Sequence, residues 1–311
     1  MMVRPAALRP GDRIAVVAPA SGCALDELER GEGELRRLGF DPVHTDAVFE
    51  RSTFSAGSPD VRAADFMRAW ADPAVKALVA LRGGYGSAQL LPLLHHLRPA
   101  LAPKLFIGYS DTTALLSWLT CAGGVAALHG PMIDARLSKG VEGYDEQSFL
   151  SAIRGESGVE LVPPGLTTLR SGEAMGFLFG GTMAMLVASL GTPYAFVPPG
   201  ESVLFLEDVN ERPYRLNRML TQLRQAGVLA RARALIFGEM RGCDEPDGRV
   251  TAADAIREAT QDFHGPILFG FPSGHTAGPC WTLPLGALVR VVGAPSPAVV
   301  IEEGAVEPAV A

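Results

Sequence analysis

Residues 112–133, 174–200 and 263–289 of this 311-residue chain contain no Asp, Glu, Lys or Arg. Each stretch is long enough to span a bilayer, which takes about 20 apolar residues in a helix. Each is also broken. Gly123-Gly124 and Pro131 interrupt the first, Gly180-Gly181 and Gly191-Thr192-Pro193 the second, and Pro266, Pro272, Pro279 and Pro284 the third. Such punctuation divides a chain into short strands and helices. The stretches therefore read as the buried core of a globular protein, where strands covered on both faces lose polar alternation. No membrane association is expected.

Apolar residues make up 48 % of the chain and charged residues 20 %, which excludes a disordered chain. A formal charge of −7 leaves no broad basic surface for nucleic acid, although a local cationic pocket for an anionic substrate remains open. Cys23, Cys121, Cys243 and Cys280 lie far apart and form no C-x-x-C pair, against a zinc knuckle or a dithiol redox site. Thiols so placed fit a reducing, cytoplasmic location. The apolar run 14–20 is short, follows Asp12 and contains Pro19, so it is not read as a secretory signal.

The length predicts about two domains. In the first half short apolar runs, at 14–18, 75–81 and 105–108, alternate with helical patterns at 26–38, after Ser58-Pro59, after the glycine-rich run 82–87, and at 112–121. Such alternation predicts an α/β fold whose N-terminal part is a doubly wound parallel sheet. Residues 139–172 are polar and rich in Gly and Pro, with a short helix at 148–154, and are read as a linker between domains at 1–138 and 173–311. The C-terminal domain is α/β and rich in strands, at 175–179, 203–207, 235–238, 267–271, 288–292 and 299–301, with helices at 183–190, 216–225 and 252–260. Thr251 and Asp254 form a capping-box pattern for the last helix.

The strongest local signal for chemistry is Ile107-Gly108-Tyr109-Ser110-Asp111-Thr112, a serine between a buried strand and a helix. Such a turn lifts a hydroxyl above the carboxyl edge of a sheet and places the following N–H at a helix start, where an oxyanion can be held. The same hexapeptide also fits a plain helix cap by Ser110, Asp111 or Thr112, and on these six residues alone the cap is the commoner outcome. His275, in Phe271-Pro272-Ser273-Gly274-His275-Thr276, follows a strand, where a base can project into a cleft; His129 also ends an apolar strand, and His95-His96 reads as helix surface. Glu207 and Asp208 follow another apolar strand and point to opposite faces, so only one can reach a given imidazole. Arg82-Gly83-Gly84-Tyr85-Gly86-Ser87 can present backbone N–H groups to an anion but matches neither a P-loop nor a dinucleotide fingerprint. No His, Asp and Glu cluster has metal-ligand spacing.

Taken in order, these motifs resemble those of the LD-carboxypeptidases, a serine peptidase family that also contains the microcin C self-immunity peptidases. The resemblance runs from Gly11-Asp12 and Val17-Ala18-Pro19-Ala20-Ser21 to Gly274-His275. It is carried by Arg82-Gly83-Gly84-Tyr85-Gly86, Gly108-Tyr109-Ser110-Asp111, His129-Gly130-Pro131-Met132, Leu206-Glu207-Asp208 with Glu211 and Tyr214, and Gly274-His275. It implies a Ser-Glu-His triad in which Ser110 is the nucleophile, His275 the general base and then acid, and Glu207 the residue that orients His275, with Glu211 in reserve. It implies an oxyanion hole from the backbone N–H groups of Asp111 and Gly84, no metal or organic cofactor, and a homodimer.

The activity so implied is release of terminal D-alanine from muropeptide tetrapeptides, at an L-to-D bond, in murein recycling. The self-immunity branch would instead cleave peptide-nucleotide or acyl-sulfamoyl-adenylate conjugates, and a non-catalytic binding protein on the same fold is a third reading. A carboxypeptidase must hold a free carboxylate, for which Arg82, Arg136 and Arg241 are candidates because Arg grips carboxylates bidentately. Tyr85 and His129 are further substrate-binding candidates. One departure stands out: where the family leads us to expect Gly-Gly-Asn, this chain has Gly180-Gly181-Thr182.

Overall fold

A computed structural model of the chain describes residues 2–95 and 102–308. The first apolar run forms β1 (Arg13–Val17), and the amphipathic segment after it forms α1 (Leu25–Arg37), which buries Leu28 and Leu35. After β2 (Asp41–Val43), α2 (Pro59–Ala71) begins as its sequence predicts: the Ser58 hydroxyl accepts from the Val61 N–H at 3.3 Å, and Pro59 occupies the first turn, where its missing donor costs nothing. Then come β3 (Val75–Ala80), the glycine-rich loop, α3 (Leu91–Leu94), β4 (Leu105–Gly108), α4 (Thr113–Ser117) and β5 (Ala127–His129). His95 is exposed after α3, and His96 lies outside the described residues.

The second half contains α5 (Glu146–Arg154), β6 (Val159–Leu161), β7 (Thr167–Arg170), β8 (Glu173–Thr182), α6 (Met183–Ser189), β9 (Ser202–Glu207) and α7 (Pro213–Gln225). It continues with β10 (Ala232–Gly238), α8 (Ala252–Ala259), β11 (Ile267–Phe271), β12 (Leu283–Leu285), β13 (Leu288–Val292) and β14 (Ala298–Glu303). The Thr251–Asp254 capping box is formed in both directions.

Two sheets result. The first has the order β12-β5-β4-β3-β1-β2, and its strands run parallel except β12, which pairs antiparallel with β5. The second has the order β6-β14-β13-β8-β9-β10-β11-β7, with a parallel centre, β8 to β11, between antiparallel edges. The mixed α/β character is as expected, with two differences. Segment 139–172, read as a linker, holds α5, β6 and β7, and its two strands form the outer edges of the second sheet. The first sheet is not wholly parallel, because the chain crosses back after β11 to lay β12 on its edge. Pro284 is tolerated there because one side of an edge strand needs no donor.

The charge-free stretches thus break into separate elements, and among the described residues no helix is long and apolar enough to cross a membrane. Strands β4, β9 and β11 all end at carboxyl edges, the usual place for a site in sheets of this kind. There the first half contributes Ser110, and the second half Glu207 and His275.

Candidate active site

Ser110 stands at φ 62°, in the left-handed region, directly after the extended residue Tyr109. A non-glycine residue held there costs about 1–3 kcal/mol, so its surroundings must enforce it. They do. The Thr112 hydroxyl donates to the Tyr109 carbonyl at 2.8 Å. The Asp111 carboxylate accepts from the Ser87 N–H at 2.8 Å and the Gly86 N–H at 3.2 Å, and the Ser87 hydroxyl donates to the Asp111 carbonyl at 2.5 Å. Asp111 therefore ties the serine turn to the glycine-rich loop. Within that loop Gly83 lies against the serine: a Cβ at Gly83 would sit 2.7 Å from Ser110 Cβ and 2.8 Å from its Oγ. Gly84 packs on Ser21.

The Ser110 hydroxyl caps no helix; its Oγ lies 3.1 Å from His275 Nε2. His275 Nδ1 in turn lies 2.9 Å from Glu207 Oε2 and 3.2 Å from Oε1, and the His275 backbone N–H donates to Oε2 at 3.1 Å. The Thr182 hydroxyl donates to Oε1. Glu207 is 1 % exposed. Burial alone would push its carboxyl up; the hydrogen bond and charge of His275, with the Thr182 hydroxyl, outweigh it and hold the group below the usual carboxylate range. An ionised Glu207 only accepts, so neutral His275 carries its proton on Nδ1 and presents a bare Nε2 to the serine. Burial likewise lowers His275, and the hydrogen bond and charge of Glu207 more than reverse this, so its net shift is upward from 6.5.

The His275 loop is held from below by Arg136. All of the N–H donors of this guanidinium are taken: Nη2 by the carbonyls of Gly274 at 2.8 Å and Thr276 at 3.0 Å, Nη1 by those of Gly278 at 3.0 Å and Gly143 at 3.4 Å, and Nε by the Tyr109 hydroxyl at 3.4 Å. The Tyr109 ring meets His275 edge to face at 5.3 Å. Gly274 sits at φ 80°, and a Cβ there would be 2.9 Å from both Glu207 Cδ and His129 Cε1. Only glycine fits that turn.

The other sequence candidates are placed as follows. Asp208 points away from His275, its carboxylate accepting from the N–H groups of Val209 at 2.9 Å and Ala184 at 2.8 Å. Glu211 pairs with Arg215 at 3.3 Å, so Glu207 is the acid that meets the histidine. Arg136 is not available to a substrate carboxylate. Arg82 is half exposed and pairs with Asp134 at 3.1 Å. Arg241 is exposed in the loop after β10, and its guanidinium has no ion pair among the described residues. Tyr85 is 52 % exposed and meets Phe54 edge to face at 6.0 Å. His129, expected to touch substrate, is fully buried: Nδ1 lies 2.8 Å from Ser273 Oγ, and the ring packs on Phe205. It supports the loop from inside, because its strand β5 sits between β12 and β4 in the sheet interior.

Burial pushes His129 down to about 4, so it is neutral in the folded protein. The unfolded chain binds a proton near the ordinary 6.5, so stability is full above that pH and drains away as pH falls toward 4. The loss should reach about 2–3 kcal/mol. Denaturant unfolding of wild type and His129→Gln at pH 7 and pH 4.5 measures it: the variant should lose markedly less stability on acidification. Equal losses would show that His129 is not the titrating group.

The family model described as the LD-carboxypeptidase N-terminal domain matches residues 14–130, and that of the C-terminal domain residues 175–291. A murein tetrapeptide carboxypeptidase of Pseudomonas aeruginosa is 32 % identical over 272 residues, covering 85 % of this chain and 88 % of that protein. The muramoyltetrapeptide carboxypeptidase of Oxalobacter formigenes superposes with a TM-score of 0.79 at 27 % identity, over 94 % of this chain and 98 % of its own. The microcin C7 self immunity protein MccF shares the fold, with a TM-score of 0.86 at 22 % identity over 96 % of this chain and 98 % of its own. The fold and the two family models define a hydrolase of the peptidase class. The chain belongs to the LD-carboxypeptidase family of serine peptidases.

Proposed function

We propose that this protein is a serine LD-carboxypeptidase that releases the terminal D-alanine of muropeptide tetrapeptides in murein recycling. The observation that carries this reading is the continuous hydrogen-bond chain from Glu207 through His275 to a serine held at φ 62°. Ser110 is a weak nucleophile until Nε2 takes its proton, and Glu207 fixes the tautomer and stabilises the imidazolium that forms. As Oγ attacks the scissile carbonyl, negative charge grows on the carbonyl oxygen. The backbone N–H groups of Asp111 and Gly84 are assigned to that charge, each worth roughly 3–4 kcal/mol in well-studied hydrolases. His275 then protonates the leaving D-alanine amine, and water repeats the cycle on the acyl-enzyme. Arg82 and Arg241 are the guanidiniums left to hold the substrate carboxylate. The identity to a murein tetrapeptide carboxypeptidase supports the substrate.

Incubation with a muropeptide tetrapeptide, followed by mass spectrometry, tests it. Loss of one alanine is expected, with and without EDTA. Cleavage of an acyl-sulfamoyl-adenylate in its place would move the protein to the self-immunity activity, and turnover of neither substrate would leave a binding protein.

A further inference from the structure

Thr182 ends β8 between the two halves of the site. Its backbone N–H donates to the hydroxyl of Thr113 at 3.1 Å, on the helix that follows Ser110. Its own hydroxyl donates to Glu207 Oε1. The side chain is buried, at 5 % exposure, so water does not compete for either bond. Of the two carboxylate oxygens, Oε2 takes both the backbone N–H and the nearer approach of Nδ1, at 3.1 and 2.9 Å. Oε1 has the longer contact to Nδ1, 3.2 Å, and the Thr182 hydroxyl.

We infer that Thr182 is a positioning residue for the reaction: its hydroxyl pins the rotation of the Glu207 carboxylate, and so the direction in which His275 faces Ser110. This rests on the function proposed above. The asparagine expected at this position by resemblance has a longer side chain with a different donor geometry; in this chain a hydroxyl reaches the acid itself.

The chemistry gives a direction as well as a role. A hydrogen bond donated to an ionised carboxylate stabilises the charged form. Without it Oε1 is left buried and short of a donor, and Glu207 holds the imidazolium proton of His275 more tightly. The other charged or titratable groups whose charge or contact reaches this pair are Asp208 just after β9, its carboxylate turned away, His129 on β5, Arg136 and Tyr109 beneath the histidine, and Cys280 at the end of the loop. None of them changes in a Thr182 variant.

The test is the titration of the His275 imidazole, followed by NMR in wild type, Thr182→Val and Thr182→Ser. This readout needs no substrate, so it stands whether or not the proposed function does; wild-type turnover of the tetrapeptide tests that function separately. Thr182→Val, which keeps the shape and loses the hydroxyl, should titrate about half a pH unit higher, and Thr182→Ser should match wild type. With the tetrapeptide, Thr182→Val should lower kcat roughly tenfold at little change in KM, the equivalent of about 1.4 kcal/mol, and Thr182→Ser should restore it. An unmoved titration in a folded Thr182→Val protein overturns the inference, as does a Thr182→Ser protein displaced as far as Thr182→Val, because the methyl group would then be the part that matters. If Thr182→Val does not fold, Thr182→Ala against Thr182→Ser gives the same comparison.

Discussion

Replacing Ser110 with alanine should lower kcat for alanine release by roughly 10⁴–10⁶ while tetrapeptide binding largely persists. The hydroxyl is the atom that would form the acyl-enzyme, whereas the glycine-rich loop, the Asp111 N–H and the Arg82 and Arg241 guanidiniums stay where they are. A helix cap would behave otherwise: its loss costs about 1 kcal/mol of stability and spares turnover. The geometry speaks against a cap, because the Ser110 hydroxyl bonds to His275 and not to a helix N–H. Ser110→Gly sharpens the contrast. Glycine relieves the φ of 62° without strain, so this variant should unfold at a higher denaturant concentration than Ser110→Ala while being as inactive. Kinetics with the tetrapeptide, binding by calorimetry and denaturant midpoints on both variants are the measurements. Alanine release by Ser110→Ala within tenfold of wild type would remove Ser110 from the chemistry.

Much of the scaffold around this serine is visible in local sequence. Strands Leu105–Gly108, Ile267–Phe271 and Leu288–Val292 have the bounds that their apolar runs predict, and Ser58 and the Thr251–Asp254 pair cap the helices they precede. These features depend on neighbours within a few residues. What local sequence does not carry is pairing at long range. Strands β6 and β7 are short, and each pairs with a strand far along the chain, β14 and β11 respectively, so their polar, Gly- and Pro-rich surroundings read as a linker. Strand β12 contains a proline and lies inside a charge-free stretch, with nothing to say that it crosses to the other sheet.

The same limit applies within the site. Ser110 and His275 each follow an apolar strand and Glu207 ends one, and that much is legible in the sequence. Their meeting is a contact across 165 and 68 residues, which the motifs alone could suggest only through family resemblance. Arg136 reads as a carboxylate binder because guanidinium chemistry allows it; its donors are spent on four loop carbonyls and a tyrosine hydroxyl, none of which has a sequence signature. His129 is a candidate to touch substrate because it ends an apolar strand, yet that strand is interior to its sheet and the side chain is buried. Thr182 stood out only as a departure from an expected asparagine, and its bond to Glu207 depends on how the ends of β8 and β9 align in register.

Glu207→Gln should reduce kcat by about 10³–10⁴ and also displace the acid limb of the pH–rate profile downward. The amide is nearly the same size, so the loop can stay folded, but its NH₂ can face Nδ1 and move the imidazole proton to Nε2. A protonated Nε2 cannot accept from Ser110. The pH effect follows from the two opposed influences on His275, burial lowering its pKa and Glu207 raising it by more. A general base works when neutral, so the wild-type enzyme should lose activity as pH falls through a value above the ordinary 6.5 of histidine. With glutamine the upward influence is gone and burial remains, so the residual activity should persist to lower pH than in wild type. This is opposite to the displacement expected for Thr182→Val, where the carboxylate keeps its charge and loses a competing donor. Profiles of kcat/KM, which report groups of the free enzyme, measure both. An acid limb at the same pH in wild type and Glu207→Gln would mean that the carboxylate does not govern His275, and a loss of kcat below tenfold would mean that it does not hold the tautomer.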